Sequence, residues 1–218
     1  YFREIERIYP YTDWARRAIV MQAYAQHQAG QYDEARASAN RFLDQYPGDP
    51  DAAWAAYIVA LTYYDQIEDV GRDQGTTERA RDALVDVIRR FPDSQYARDS
   101  QVKLDMVRDQ LAGKEMTVGR WYLRNNQTLS AINRFRTVIE RFQTTTHVPE
   151  ALHRLVEAYL SLGITQEAQM AAAVLGHNFP ASEWYQDSYA LLEGRGLEPA
   201  ENPGGWNSRF SGLWSWAF

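Results

Sequence analysis

The chain has 218 residues, which is enough for one or two domains with a sizeable core. Its formal net charge of -6 argues against a nucleic-acid-binding protein, which would show a basic face. The absence of cysteine excludes disulfide bonds, thiolate metal sites and cysteine nucleophiles. The longest apolar run, residues 52–61, is about half the length needed to span a bilayer, so no transmembrane helix is expected.

Apolar periodicity predicts a chain of helices with almost no sheet. Pro10 ends the first helix, because proline cannot donate the hydrogen bond that would continue it. Thr12 or Asp13 is expected to cap the second helix by accepting backbone N–H groups. Helices are predicted at residues 1–9, 13–29, 32–45, 51–66, 77–91, 95–111, 128–142, 148–162, 165–178 and 182–193.

Three details of these helices are open to test. Thr76 or Thr77 is expected to cap the helix that follows the polar loop 68–77. The stretch from Ser94 to about Asn125 is either one long helix or two helices interrupted at Gly113. The apolar face of the helix at 51–66 is expected to consist of Trp54, Tyr57, Ile58, Leu61 and Tyr64.

A spacing recurs along the predicted helices: a small residue is followed four positions later by a packing residue and twelve positions later by proline. Residues four apart lie on one helix face, and the small residue allows a partner helix to approach closely. The copies are Ala35, Ala39 and Pro47; Ala80, Leu84 and Pro92; Ala168, Ala172 and Pro180; and Ala131 and Phe135, with Gln143 in place of proline.

The helix that precedes each copy carries a second signature. Val118–Tyr122 fits the L-G-x-x-Y core of a tetratricopeptide helix, and residues 155–180 give another match to a repeat of about 34 residues. The spacing therefore predicts an all-α tetratricopeptide-repeat solenoid, a right-handed superhelix of about five helix pairs. The first pair is expected to be truncated, because residues 1–9 read as a second helix. The alternative is an irregular helical bundle with accidental prolines.

The composition suggests three parts. Residues 1–110 are expected to hold the N-terminal repeats and residues 111–193 the C-terminal repeats. Beyond residue 193 the periodicity disappears and glycine, proline, asparagine and serine dominate, so residues 194–218 are expected to form an extended, flexible tail that is rich in aromatic residues.

No catalytic constellation is present. The four histidines, at 27, 147, 153 and 177, are scattered, and surface or capping roles are expected for them rather than a metal site. The chain lacks the G-x-S-x-G, H-E-x-x-H and P-loop motifs. We expect no cofactor and no enzymatic activity, although a helical glycan hydrolase with a paired-carboxylate cleft is a remote alternative.

Several segments resemble the BamD family, closest to its alphaproteobacterial members. The resemblance covers residues 1–193, and each segment alone is less specific than the set. The segments are 9–15 (YPYTDWA), 63–67 (YYDQI) with 69–74 (DVGRDQ), 89–97 (RRFPDSQYA), 111–116 (LAGKEM), 148–152 (VPEAL) and 178–185 (NFPASEWY).

The resemblance implies a tetratricopeptide-repeat lipoprotein on the periplasmic face of the outer membrane. Such proteins belong to the β-barrel assembly machinery, and their partners are the POTRA region of BamA, other Bam lipoproteins and unfolded outer-membrane proteins. Members of the family are anchored through a lipid on an N-terminal cysteine, and because the start of this sequence reads as truncated, that anchor is expected to lie outside it. No nucleic-acid partner is implied. Another periplasmic tetratricopeptide adaptor is the alternative.

The resemblance also suggests where partners bind. Contact with BamA is expected in the C-terminal repeats, although the arginine that some members use is replaced by the sequence His147-Val148-Pro149-Glu150. The candidates are His147, Glu150, Arg154, Trp184 and Tyr185 for BamA, and Tyr57, Tyr64, Arg72, Asp73 and Gln74 for client peptides or accessory partners. The polar loop that holds the last three is equally consistent with a solvated loop that binds only itself.

The end of the chain carries Trp214, Trp216 and Phe218, which alternate and would lie on one side of an extended strand. Client barrels of this machinery end in a similar alternation. The tail is therefore expected to make contacts of its own, by mimicking a client signal, by touching the membrane interface, or by forming a strap on the BamA side.

Overall fold

The computed structural model describes residues 1–10 and 12–201, and this part of the chain is all helical. Its ten helices confirm the all-α prediction, with ends that differ from the expected ones by a few residues at most, except that α6 takes the longer of its two predicted lengths. They are α1 (Phe2–Ile8), α2 (Asp13–Gln28), α3 (Tyr32–Gln45), α4 (Ala52–Tyr64), α5 (Gly75–Arg90), α6 (Gln95–Arg124), α7 (Thr128–Arg141), α8 (Val148–Ser161), α9 (Thr165–Asn178) and α10 (Glu183–Glu193).

The long helix α6 decides one alternative left open by the sequence. It runs through Gly113 without a break, and the hydroxyl of Thr117 donates a hydrogen bond of 2.8 Å to the Gly113 carbonyl oxygen. Gly113 is buried within α6 and does not end the helix.

The chain divides into two compact units, one from Tyr1 to Arg108 and one that begins at Asp109. In the N-terminal unit each of α1–α4 packs on the next helix, and α2 also packs on α4. In the C-terminal unit α7 packs on α8, α8 on α9, and α10 on both α8 and α9. Consecutive stacking of helix pairs is the arrangement of tetratricopeptide repeats, as predicted.

The recurring spacing marks the helix contacts. Ala35, Ala80, Ala131 and Ala168 have no solvent exposure, and the same holds for the residues four positions later. Those are Ala39, Leu84, Phe135 and Ala172. The repeat signature in the sequence therefore corresponds to the surfaces where one helix meets the next.

An aromatic residue follows the last helical residue of each repeat. Tyr46, Phe91, Phe142 and Phe179 occupy the C-cap position with nearly the same backbone angles, and each N–H donates to the carbonyl four residues earlier. Proline comes next in three cases, but α7 ends in the same way before Gln143. The proline therefore reinforces a helix end that the chain also forms without it.

The predicted N-caps have opposite outcomes. Thr12 caps α2, since its hydroxyl accepts a hydrogen bond of 3.2 Å from the Ala15 N–H. The prediction for Thr76 or Thr77 was wrong, because α5 already begins at Gly75. The carboxylate of Asp73 accepts from the Gly75 N–H at 3.1 Å, and this contact supports the first turn in place of a threonine.

The apolar face predicted for α4 is only partly buried. Ile58 is buried, but Trp54, Tyr57, Leu61 and Tyr64 are only half-buried. The fully packed side of α4 is built mainly from small residues, which are Ala52, Ala53, Ala55, Ala56, Ala60 and Thr62. Close helix packing selects alanine at these positions, and the large rings lie at the edge of the contact.

A buried polar contact attaches α10 to α8. His153 Nδ1 lies 2.9 Å from Ser188 Oγ, and the His153 ring packs beside Trp184 with 5.2 Å between ring centroids. The prediction of a surface or capping role was wrong for His153, which is only 4% exposed. Such a pair is stable inside a core because each polar atom satisfies the other.

The segment that follows α10, residues 195–200, is hydrogen-bonded to α8 and α9. Arg195 donates a hydrogen bond of 2.9 Å to the Leu160 carbonyl at the end of α8. Gln169 of α9 donates to the Glu198 carbonyl at 2.7 Å, and its own carbonyl accepts from the Ala200 N–H at 3.1 Å. The expectation of flexibility from residue 194 onward therefore does not hold for residues 195–200.

Glu157 stabilises the same region through charge. Burial alone raises the pKa of its carboxyl, but contacts from His153 and Arg154, together with the Arg154 charge, lower that pKa to about 2. Arg154 Nη1 lies 2.6 Å from Glu157 Oε2. Because the pKa is lower in the folded chain than in the unfolded chain, ionised Glu157 favours folding.

We expect Gly119→Ala to destabilise the C-terminal unit by about 1–3 kcal/mol, the usual cost of overpacking a core. A Cβ at this position would lie 2.5 Å from the ring of Phe135, which is fully buried and has no room to move. Gly48→Ala is the matched control, because no atom lies within 4 Å of its Cβ position. Thermal unfolding of both variants measures the difference, and equal melting temperatures would contradict this packing.

We expect Glu157→Gln to cost about 1 kcal/mol at neutral pH, a value reduced by solvent screening of a partly exposed pair. The wild-type contribution is complete above the unfolded pKa near 4.5 and disappears as the pH falls through about 2. The variant should therefore lose less stability than the wild type between these pH values. Urea unfolding at several pH values tests this, with Glu140→Gln in an exposed pair as the control.

Candidate functional site

A cluster of charges lies where α6, α8 and α10 meet in the C-terminal unit. Arg120 Nη1 lies 2.8 Å and 3.0 Å from the two carboxylate oxygens of Glu150. Arg154 lies 3.4 Å from Glu150, contacts Glu157, and places its guanidinium 5.4 Å from the centre of the Trp184 ring. We call these five residues the Arg154 cluster. It holds two arginines and two glutamates, so its charges are balanced.

The Arg154 cluster brings together three of the five residues predicted to contact BamA: Glu150, Arg154 and Trp184. Sequence analysis missed Arg120 and Glu157. Glu157 was detectable, because residues three apart on a helix are neighbours and Arg154 precedes it by three. The pairing of Arg120 with Glu150 spans 30 positions, and no local pattern indicates it.

The other two predicted residues make different contacts. His147 occupies the N-cap position of α8, and its Nε2 atom lies 3.6 Å from the Asp109 carboxylate. Asp109 also accepts hydrogen bonds from the N–H and hydroxyl of Thr146, at 3.0 Å and 2.8 Å. Tyr185 packs over Gly176 and forms an edge-to-face pair with Tyr189. His147 thus belongs to the start of α8, and Tyr185 to the α9–α10 contact.

A second candidate surface lies in the N-terminal unit along α4. Trp54, Tyr57, Leu61 and Tyr64 are three or four positions apart and therefore share one face of this helix. All four are half-buried, and α4 contains no charged residue. We call this face the α4 aromatic stripe. The edges of these four side chains remain open to solvent.

Contacts from α6 hold two rings of the stripe. The Tyr57 hydroxyl donates a hydrogen bond to Asp99, and the Lys103 ammonium lies 2.9 Å from the same carboxylate. The Lys103 ammonium also lies 5.4 Å from the centre of the Tyr64 ring. Burial and the bond to Asp99 raise the pKa of Tyr57 to about 12, so its hydroxyl stays protonated at physiological pH.

Exposed apolar side chains flank the stripe. On α6, Val102 is 62% exposed and Met106 is 59% exposed, and the Met106 sulfur lies 3.4 Å from the Tyr64 hydroxyl. On α2, Tyr24 is exposed and packs beside Trp54 with 5.6 Å between ring centroids. Apolar contact surface therefore extends from α2 across α4 to α6, and this arrangement suits an apolar polypeptide segment.

The predicted loop residues bind within their own loop. Arg72 Nη1 lies 3.2 Å from Glu68, and the Asp73 carboxylate accepts from the Gly75 N–H. The Gln74 amide donates to the carbonyl oxygens of Asp69 and Arg72 at 3.3 Å and 3.0 Å. These bonds shape the loop between α4 and α5. They are consistent with the alternative interpretation, in which the loop is a solvated connection held by hydrogen bonds within itself.

A cavity of about 740 Å³ in the N-terminal unit lies beside α1. It is lined by charged residues of α1 and by Tyr46. Arg7 pairs with Glu4 and Arg41 with Glu6, so the charges around it are largely compensated. No residue predicted to bind a partner lines this cavity.

Trp214, Trp216 and Phe218 lie outside the described residues. Within residues 1–10 and 12–201, no group of three or more histidine, aspartate or glutamate side chains is arranged to hold a metal ion. The same residues include no helix that is both long and apolar enough to cross a bilayer.

The sequence matches a family model described as outer membrane lipoprotein (YfiO), over residues 1–175. It is also similar to proteins named outer membrane protein assembly factor BamD. That of Caulobacter vibrioides is 57% identical over 203 residues, which cover 93% of this chain and 67% of the relative. That of Rickettsia prowazekii is 45% identical over 192 residues, covering 88% and 76%. A Neisseria meningitidis relative is 31% identical over 188 residues, covering 82% and 70%.

The match to the family model spans most of the chain, and the similarity to two relatives covers about nine-tenths of its length. The stacked helix pairs and the buried repeat positions agree with it. The chain therefore belongs to the BamD family of outer membrane protein assembly factors.

Proposed function

We propose that this chain is a non-enzymatic scaffold of the outer-membrane β-barrel assembly machinery and that it binds the periplasmic POTRA region of BamA. The observation that carries this proposal is family membership, since the relatives are named assembly factors of outer membrane proteins. A stack of helix pairs offers broad, preformed surfaces for docking other polypeptides. The chain would act on the periplasmic side of the outer membrane, held there by an N-terminal lipid.

The Arg154 cluster is the surface that we assign to BamA. It combines a half-buried tryptophan with two arginines, and these residue types dominate the energetics of protein interfaces. A charged side chain of BamA can replace one partner in these ion pairs, and each arginine and glutamate of the cluster then still has an opposite charge beside it. Because the Trp184 ring is held between Arg154 and His153, it is already ordered before binding. A preordered ring loses little entropy when the complex forms.

The α4 aromatic stripe is the surface that we assign to unfolded outer-membrane proteins. Its rings present apolar faces, while the hydroxyl oxygens of Tyr57 and Tyr64, whose protons are donated to Asp99 and to the Met106 sulfur, can still accept hydrogen bonds. An unfolded strand offers alternating apolar side chains and unpaired backbone groups, and both are matched by such rings. α4 itself carries no charged residue, and the Asp99 and Lys103 charges beside its rings already pair with each other, so an apolar segment that binds there leaves neither ion without a partner.

We expect Trp184→Ala to weaken binding to the purified POTRA region by about tenfold or more, as removal of an interface hot spot does. Leu191→Ala is the matched control, because Leu191 is exposed on the same helix and lies outside the cluster. Isothermal titration calorimetry measures both affinities. If the wild-type chain fails to bind at micromolar concentration, another periplasmic adaptor role becomes the better explanation.

We expect Tyr64→Ala to weaken binding of a synthetic peptide from the end of a barrel protein by about threefold to tenfold, through loss of aromatic contact area. Val85→Ala, at an exposed position on α5, serves as the control. Fluorescence anisotropy of a labelled peptide provides the measurement. Equal affinities for the wild type and Tyr64→Ala would remove the stripe from the client site.

A further inference from the structure

Helix α9 carries much less charge than the helices that occupy the same place in the other repeats. Its only aspartate, glutamate, lysine or arginine is Glu167, whereas α3 contains five such residues, α5 seven and α7 four. The end of a solenoid needs a polar outer side, because no further repeat covers it. Since α8 and α9 form the last of the repeated helix pairs, the low charge of α9 indicates that another element covers it.

The outward side of α9 is open in the part of the chain that the structure describes. Four residues, three or four positions apart, share this side of the helix, and we call them the α9 face: Gln166, Met170, Ala173 and His177. The first and last are exposed, and the two between them are half-buried. Ala173 lies five residues after the repeat alanine, where α7 has the charged Arg136. The α9 face is therefore a surface with an apolar centre.

Two elements border the α9 face on one side. Tyr185 of α10 packs over Gly176, and its ring centre lies 6.3 Å from that of Tyr189, which is 41% exposed. The segment that follows α10 is hydrogen-bonded to Gln169. Because Gln169 and Gly176 are about two helical turns apart, the tyrosine rings and this segment lie on the same side of α9. Ala173 lies between them, about one turn from each.

The sequence that continues from this segment is strongly apolar. Residues 202–218, which we call the terminal segment, hold one charged side chain, Arg209, and six large apolar ones. The six are Trp206, Phe210, Leu213, Trp214, Trp216 and Phe218. Such side chains gain free energy when they leave water. The terminal segment starts on α9, since the Ala200 N–H donates to the Gln169 carbonyl oxygen, so the α9 face is the apolar surface at hand.

The terminal segment is long enough to cover this surface. α9 has 14 residues and is therefore about 21 Å long. An extended chain advances about 3.3 Å per residue, so the stretch from Glu201 to Trp206 spans up to roughly 17 Å. Trp206 can thus reach every residue of the α9 face, and the rest of the terminal segment can continue along the helix.

The charge of the terminal segment is matched by α10. This helix contains Glu183, Asp187 and Glu193 and no lysine or arginine. Among residues 1–10 and 12–201, none of these three carboxylates has an ion-pair partner. A segment that lies along α9 beside α10 brings Arg209 close to an opposite charge.

We propose that the terminal segment docks on the α9 face of its own chain and covers the last helix pair as a further repeat would. Trp206 packs beside Tyr185 and Tyr189, and Arg209 lies next to the carboxylates of α10. Among the three roles expected for the end of the chain, the inference selects the strap. It does not depend on the proposed function, because the contact lies within one chain.

Disulfide trapping tests this contact, because the chain has no cysteine of its own and a disulfide requires Cα atoms within about 7 Å. Ala173→Cys is combined in turn with Gly205→Cys, Asn207→Cys or Ser211→Cys in the full chain, at low protein concentration. We expect at least one pair to close about tenfold faster than the same cysteine closes with Arg136→Cys, the equivalent position of α7. Equal rates at both positions for all three cysteines would overturn the inference.

Trp206→Ser, added to the pair that closes fastest, separates docking from mere proximity. We expect closure to slow by about tenfold, whereas Asn202→Ser, a polar change in the same segment, should leave the rate within about twofold. An unchanged rate in Trp206→Ser would overturn the inference. Circular dichroism establishes that each variant is folded, and the exposed Gln166→Cys replaces Ala173→Cys if the latter unfolds.

The same experiment recognises the other occupants. Predominantly disulfide-linked dimers would show that the terminal segment binds a second copy, and faster closure with Leu61→Cys would place it on the α4 aromatic stripe. Slow closure at Ala173→Cys, together with cosedimentation on vesicles of phosphatidylglycerol and phosphatidylcholine that is lost in Trp214→Ser with Trp216→Ser, would make it a membrane contact. Each of these results overturns docking on the α9 face.

Discussion

Close approach between neighbouring helices is the constraint on which the rest of the structure depends. Each repeat places a small or tightly fitting residue where its second helix meets the next element, and these positions are closed to solvent. Gly119 shows how narrow the fit is, because its missing side chain is replaced by the ring of Phe135. Dispersion and the exclusion of water act over many such contacts, and they fix the register of each helix on its neighbour.

The sequence predicted much of the fold because the contacts that define it are local. Helix positions follow from periodicity, and the repeat positions follow from spacing within one helix pair. The predicted apolar face of α4 does not mark its closest contacts, because helices that pack closely bury alanine and leave large rings at the edge. The start of α5 was misjudged because an aspartate two residues earlier, Asp73, supports the first turn.

The candidate sites could be predicted only in part, for a different reason. Glu150, Arg154 and Trp184 were recognised and do lie together, but the residues that complete their environment come from distant positions. Arg120 is 30 residues from Glu150, and Asp99 is 42 residues from Tyr57. Pairs of this kind depend on how helices stack, so no pattern within a single helix indicates them. The result is a charge-balanced surface in the C-terminal unit and an uncharged aromatic surface in the N-terminal unit.

The aromatic residue after each repeat has a consequence for how the family can change its loops. α5 follows a long polar loop, yet it buries Ala80 and Leu84 completely and ends at Phe91 with the backbone angles found at Tyr46 and Phe179. The length of a connection therefore does not decide where the next helix sits. Insertions between helices can accumulate as new recognition elements while the stack beneath them keeps its geometry.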